Sequence, residues 1–105
     1  MRIIKGVLKE ELDNSLRMQK SYERQLRRLP RGSLIKKVIS GRPYYYLVYR
    51  EDGKVKFAYR GKVTEEEIKK YAKAKLYRAK YRRQLSEVKK QIRFLRSTLR
   101  GKKSV

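Results

Sequence analysis

Seven cations, Lys75, Arg78, Arg82, Lys89, Arg93, Arg96 and Arg100, recur at steps of three, four and seven residues. On a helix those steps return to one stripe. From Lys69 to Arg100 there are thirteen basic residues and a single acid, Glu87. A solvated helix ordinarily mixes signs, because Glu and Lys four residues apart stabilise each other. A row of like charges instead opposes folding unless counterions or phosphates neutralise it. Lys and Arg that contact phosphates release counterions and gain affinity thereby. The chemistry open to this stripe is to track a phosphate backbone; its plainer use is as a solubilising coat.

A second set lies in the middle of the chain: Lys36, Lys37, Arg42, Tyr44, Tyr46, Arg50, Lys54, Lys56 and Arg60. The cations suit phosphates, and Tyr and Arg can reach base edges or stack on bases. Tyr is also common in strands for packing reasons alone, so tyrosines covering a small core are the alternative reading.

Catalysis finds little to work with. The chain has no His and no Cys, which removes the usual general bases and thiol nucleophiles. The acids cluster at Glu10, Glu11 and Asp13, at Glu51 and Asp52, and at Glu65 to Glu67. A helix face, a turn and a helix start account for them, and no spacing suggests a metal site. Gly61-Lys62-Val63-Thr64 has neither the earlier glycine of a phosphate-binding loop nor the hydroxyl directly after lysine. The chain therefore reads as a non-enzyme without cofactor or metal.

The 105 residues carry 32 Lys and Arg against 10 Asp and Glu, a formal net charge of +22. Self-repulsion on that scale points to a polyanionic partner. Nucleic acid is the first candidate and an anionic membrane surface the second. No apolar run suits a signal peptide or a membrane span. The seam on the basic helix is narrow and lacks Trp, which disfavours a membrane-surface helix. The expectation is a cytoplasmic, nucleoid-associated protein with no membrane partner.

Three segments must position these residues within what the length reads as a single domain. Residues 3–29 read as a helix, with Leu8, Leu12, Ser15, Gln19, Tyr22, Leu26 and Leu29 at 4-3 spacing, one coiled-coil seam. Pro30 stops it. Residues 33–60 are β-branched and aromatic, cut by Ser40-Gly41 and Asp52-Gly53 into a three-stranded antiparallel meander. Residues 64–100 read as a second helix, opened by a Thr64–Glu67 capping box, with the seam Tyr77, Tyr81, Leu85, Val88, Ile92, Leu95 and Leu99. Residues 101–105 read as a tail. The fold class is α+β, with the two helices pairing antiparallel.

The Asp52-Gly53 turn admits two registers. A two-residue loop sets Val48 opposite Phe57; a three-residue loop with Gly53 as a bulge sets Leu47 there. The second sorts the chemistry better. It gathers Tyr45, Leu47, Tyr49, Val55, Phe57 and Tyr59 on one face for packing. Tyr44, Tyr46, Val48, Arg50, Lys54, Lys56 and Arg60 then form the outward face. The first strand is apolar on both faces through Leu34, Ile35, Val38 and Ile39.

The stretch RGSLIKKVISGRPYYYLVYREDGKVKFAYRGKVTEEEI resembles the N-terminal arm-type DNA-binding domain of tyrosine recombinases. The shared features are a Gly-Ser start, an aromatic second strand, a DGK turn, a basic third strand, a Gly and an acid-capped helix. The resemblance implies a three-stranded sheet for the major groove of DNA. These 105 residues differ from that family in their long flanking helices and hold no stretch that reads as its catalytic domain, so strand exchange is not expected of them. The pattern LPRGSLIKK, YYYL and GKVK between two helices also resembles short basic bacterial proteins of unknown function.

The leading expectation is a non-catalytic DNA-binding protein, architectural or regulatory, linked to a mobile element. A structured-RNA-binding ribonucleoprotein subunit is the second reading, and a helical adaptor for an acidic protein partner the third. A homodimer through Ile92, Leu95 and Leu99 is also expected. The first helix spans ~40 Å against ~55 Å for the second, which would leave that seam unpaired within one chain.

Overall fold

In the structure, a computed structural model that describes residues 2–101, the order is α1 (Arg2–Arg28), β1 (Ser33–Ile39), β2 (Arg42–Glu51), β3 (Lys54–Gly61) and α2 (Glu65–Gly101). Of the tail expected at 101–105, Gly101 closes α2 and the other four residues lie outside the described ones. The class is α+β, two helices flanking a three-stranded antiparallel sheet of order β1-β2-β3.

Local chemistry sets the helix ends. α1 stops two residues before Pro30, because the residue ahead of proline avoids the helical region. Arg27 and Arg28 in its last turn complement the negative end of the helix dipole. At the start of α2 the Glu67 amide donates to Thr64 Oγ1 at 3.1 Å, and the Ile68 amide donates to the Thr64 carbonyl at 3.1 Å. Glu65, Glu66 and Glu67 occupy the positive end of the same dipole.

The chain divides into two compact units. One joins the residues up to Arg28 with those from Ala79 onward; the other is Leu29–Arg78. In the first, α1 pairs antiparallel with the later part of α2. Leu8, Leu12, Ser15, Gln19, Tyr22 and Leu26 of α1 are buried or half-buried, the seam expected from their spacing. Ser15 is the most deeply buried of them at 1% exposure. A small side chain there allows close approach, and among the described residues no buried side-chain N or O lacks a hydrogen-bond partner. On α2 the core is Val88, Ile92 and Leu95, flanked by half-buried Tyr81, Leu85 and Leu99. The Tyr22 and Tyr81 rings meet with centroids 6.3 Å apart.

This arrangement corrects the basis for a homodimer. Ile92 and Leu95 are each only 4% exposed within a single chain. The difference in helix length leaves no end of the seam over, because residues 65–78 of α2 belong to the other unit. What remains to pair, 79–101, spans ~35 Å against ~40 Å for α1. The α2 seam also differs from expectation at its start. Tyr77 is 37% exposed, whereas Ala74 is buried and Tyr71 and Arg78 are half-buried. The heptad spacing thus continues back through 78, 74 and 71, on residues that do not signal as apolar.

In the second unit both hairpin turns have two residues with positive φ. Ser40 and Gly41 stand at 52° and 77°, Asp52 and Gly53 at 52° and 76°. These are type I′ turns, whose twist matches that of the paired strands. The pairs Ile39–Arg42 and Glu51–Lys54 close them. The register is therefore Val48 opposite Phe57 and Leu47 opposite Ala58, and the expected Leu47–Phe57 pairing is incorrect. Asp tolerates the left-handed conformation and Gly adopts it freely, so the two-residue turn forms without strain and overrides the tidier sorting of side chains.

The slip of one residue exchanges the faces of β3. Val55, Phe57 and Tyr59 share a face with Ile35, Lys37, Tyr44, Tyr46 and Val48, not with Leu47. The other face carries Leu34, Tyr45, Leu47, Tyr49 and Ala58, of which Leu47 is buried and the rest half-buried. Gly32 enters β1 against β2 with φ of 86°, and a Cβ there would lie 2.6 Å from the Val48 carbonyl oxygen. Only glycine serves at that approach.

Candidate nucleic-acid interface

The basic stripe on α2 is presented mostly as its spacing implies. Lys75, Arg82, Lys89, Arg93, Arg96 and Arg100 are all exposed. In the helix-pair unit, Arg82, Lys89, Arg93, Arg96 and Arg100 lie within about 40° of one line at 100° per residue and span ~27 Å of helix. Arg78 departs from the stripe. It is half-buried and its Nη2 donates to the Pro30 carbonyl oxygen at 2.5 Å, tying α2 to the loop before β1.

Among the described residues one ion pair forms, Lys56 Nζ with Glu51 Oε1 at 3.3 Å. None of the stripe cations pairs with an acid among the described residues. Exposed charges so arranged repel one another at low salt, and only mobile counterions or an outside polyanion neutralise them.

The sheet divides the second set of candidates. Lys37, Arg42, Tyr44, Tyr46 and Arg50 lie on one face. Lys36, Lys54 and Lys56 lie on the other, where Lys56 pairs with Glu51 across the strands. Arg60 has no strand partner, because a bulge between Tyr45 and Tyr46 sets Gly61 and Tyr59 opposite those two residues. The outward face expected to unite Tyr44, Tyr46 and Arg50 with Lys54, Lys56 and Arg60 is thus corrected: the lysines turn to the opposite side.

Aromatic groups take their place. Tyr59 lies 5.3 Å from Tyr46 and 6.4 Å from Tyr44 between ring centroids. Lys37 Nζ stands over the Tyr46 ring at 5.2 Å, a cation–π contact. Ile35, Lys37, Tyr46 and Phe57 line an open depression of about 280 Å³, near the lower limit of ligand sites. Phe57 is 66% and Tyr59 61% exposed. Arg42 and Arg50 stand at the two ends of β2 on this face, ~26 Å apart at the rise of a strand, and no acid shares the face. Phe57, Tyr59 and Ile35 are site members that strand alternation missed. The signal that identifies them is the Asp-Gly pair, which favours a two-residue turn.

No helix among the described residues is long and apolar enough to cross a membrane. A family model described as Domain of unknown function (DUF6788) matches residues 3–70, which hold nearly all of α1, the three strands and the start of α2. No curated protein and no solved structure matches the chain.

Proposed function

We propose a function from two premises: the chain belongs to the DUF6788 family, a domain of unknown function, and it carries a positive charge that it does not neutralise itself. The protein is a non-catalytic nucleic-acid-binding protein whose α2 stripe tracks a phosphate backbone. The observation that carries this reading is the row Arg82, Lys89, Arg93, Arg96 and Arg100, without an acidic partner among the described residues, in a chain of net charge +22. Such a row costs stability in isolation, and phosphates that replace its counterions convert the cost into affinity.

Duplex DNA is the leading ligand, since each duplex phosphate contacted releases more counterion (~0.9) than a single-strand one (~0.7). An architectural or regulatory role, at the nucleoid and linked to a mobile element, accords with that ligand. An electrophoretic mobility shift with matched duplex DNA, structured RNA and single strands tests the reading. Retention of duplex DNA that fades steeply with salt is expected. Failure to shift any of the three would defeat the proposal, and a shift of structured RNA alone would reassign the ligand.

A further inference from the structure

The exposed sheet face raises a separate question, because large aromatic groups in water are unfavourable by about 25 cal/mol per Å². Phe57 and Tyr59 are both more than half exposed, and they adjoin Tyr44, Tyr46 and Ile35 on one continuous face. A partner is wanted, and the charges on the face restrict its chemistry. Lys37, Arg42 and Arg50 are present without an acid. A second copy of this face would bring three cations against three. An anion that also offers flat apolar rings meets both requirements.

We infer that this face, built from Lys37, Tyr44, Tyr46, Phe57 and Tyr59, stacks the bases of an unpaired nucleic-acid segment. The inference rests on the nucleic-acid reading above and adds to it: the α2 stripe takes duplex phosphates, and this face takes unpaired bases. A duplex offers base edges, which are read by side chains with paired donors and acceptors. Around Tyr46 this face instead offers Ile35, Val48 and Phe57, which donate and accept nothing. Unpaired bases expose ring faces, and aromatic side chains take these irrespective of sequence. The tilted Tyr44, Tyr46 and Tyr59 rings and the open depression beside Phe57 provide rings and space. Lys37, already above Tyr46, and the arginines at both ends of β2 supply phosphate contacts on either side of the bases.

The test separates bases from phosphates. Fluorescence anisotropy would compare a single strand, an abasic strand with the same number of phosphates, and a duplex. The base-bearing strand is expected to bind more tightly than the abasic strand by about 5- to 150-fold for each base stacked. Phe57→Ala and Tyr59→Ala should reduce that ratio while leaving abasic affinity unchanged. Both side chains are largely exposed, and circular dichroism would verify the fold; the wild-type comparison needs no variant. Equal binding of base-bearing and abasic strands would overturn base stacking and leave phosphate tracking intact. A ratio undiminished in both variants would overturn this face as the platform. No binding to any probe, duplex included, would overturn both readings.

Discussion

Replacing Arg82, Arg93 and Arg96 together by Ala removes three of the five aligned cations from the later part of α2. All three are exposed and have no acidic partner among the described residues, so the folded chain loses no ion pair. Alanine is the best helix former, and relief of like-charge neighbours three residues apart, as at Arg93 and Arg96, is worth a few tenths of a kcal/mol at most. Thermal stability should therefore stay level or rise slightly. Binding should change in a defined way. Each duplex phosphate contact contributes about 0.9 to the slope of log K against log salt. Five contacts give about 4.5, so affinity for duplex DNA should fall by roughly 500-fold between 50 and 200 mM salt from the stripe alone. Two contacts give about 1.8, or roughly 12-fold over the same range. The assay is anisotropy of a labelled duplex across that salt series. A triple variant with the wild-type slope would refute the assignment of phosphate contacts to this stripe.

Arg78→Met should destabilise the protein by about 1–3 kcal/mol in urea unfolding, since it removes the half-buried donor to the Pro30 carbonyl, and it should leave the salt slope of binding unchanged. Gly32→Ala should cost about 2–4 kcal/mol by the same measurement, because its φ of 86° and the nearby Val48 carbonyl both reject a Cβ. The chain has no cysteine of its own, so the register can be read by oxidation. Val48→Cys with Phe57→Cys should form a disulfide, and Leu47→Cys with Phe57→Cys should not, the latter pair lying on opposite faces.

Much of the fold is legible from residue order. The leucines and Tyr22 of α1 mark its seam without ambiguity, Pro30 ends it, and Thr64 with three glutamates opens α2. What was not legible has physical causes. The α2 seam passes through Ala74 and Arg78, a small residue and a cation, so an apolar pattern begins it too late and draws in Tyr77 instead. At Asp52-Gly53, side-chain sorting and turn chemistry point to different registers, and the turn wins because both its residues accept positive φ. That single choice moves Phe57 and Tyr59 into the candidate site and takes Lys54 and Lys56 out of it. The unpaired end inferred for α2 arose from comparing whole helix lengths, when residues 65–78 belong to the sheet-bearing unit.

The central claim is that the α2 stripe cations, which have no acidic partner among the described residues, meet nucleic-acid phosphates, and a side-chain NMR titration tests it most directly. The arginine Nε–H resonances of the 15N-labelled protein would be followed as a short duplex DNA is added at low salt. Arg82, Arg93, Arg96 and Arg100 should shift in a saturable manner, and the shifts should reverse as salt is raised. Arg78, held by the Pro30 carbonyl, should move least. Resonances of the four stripe arginines that stay in place while duplex DNA is in excess would contradict the account.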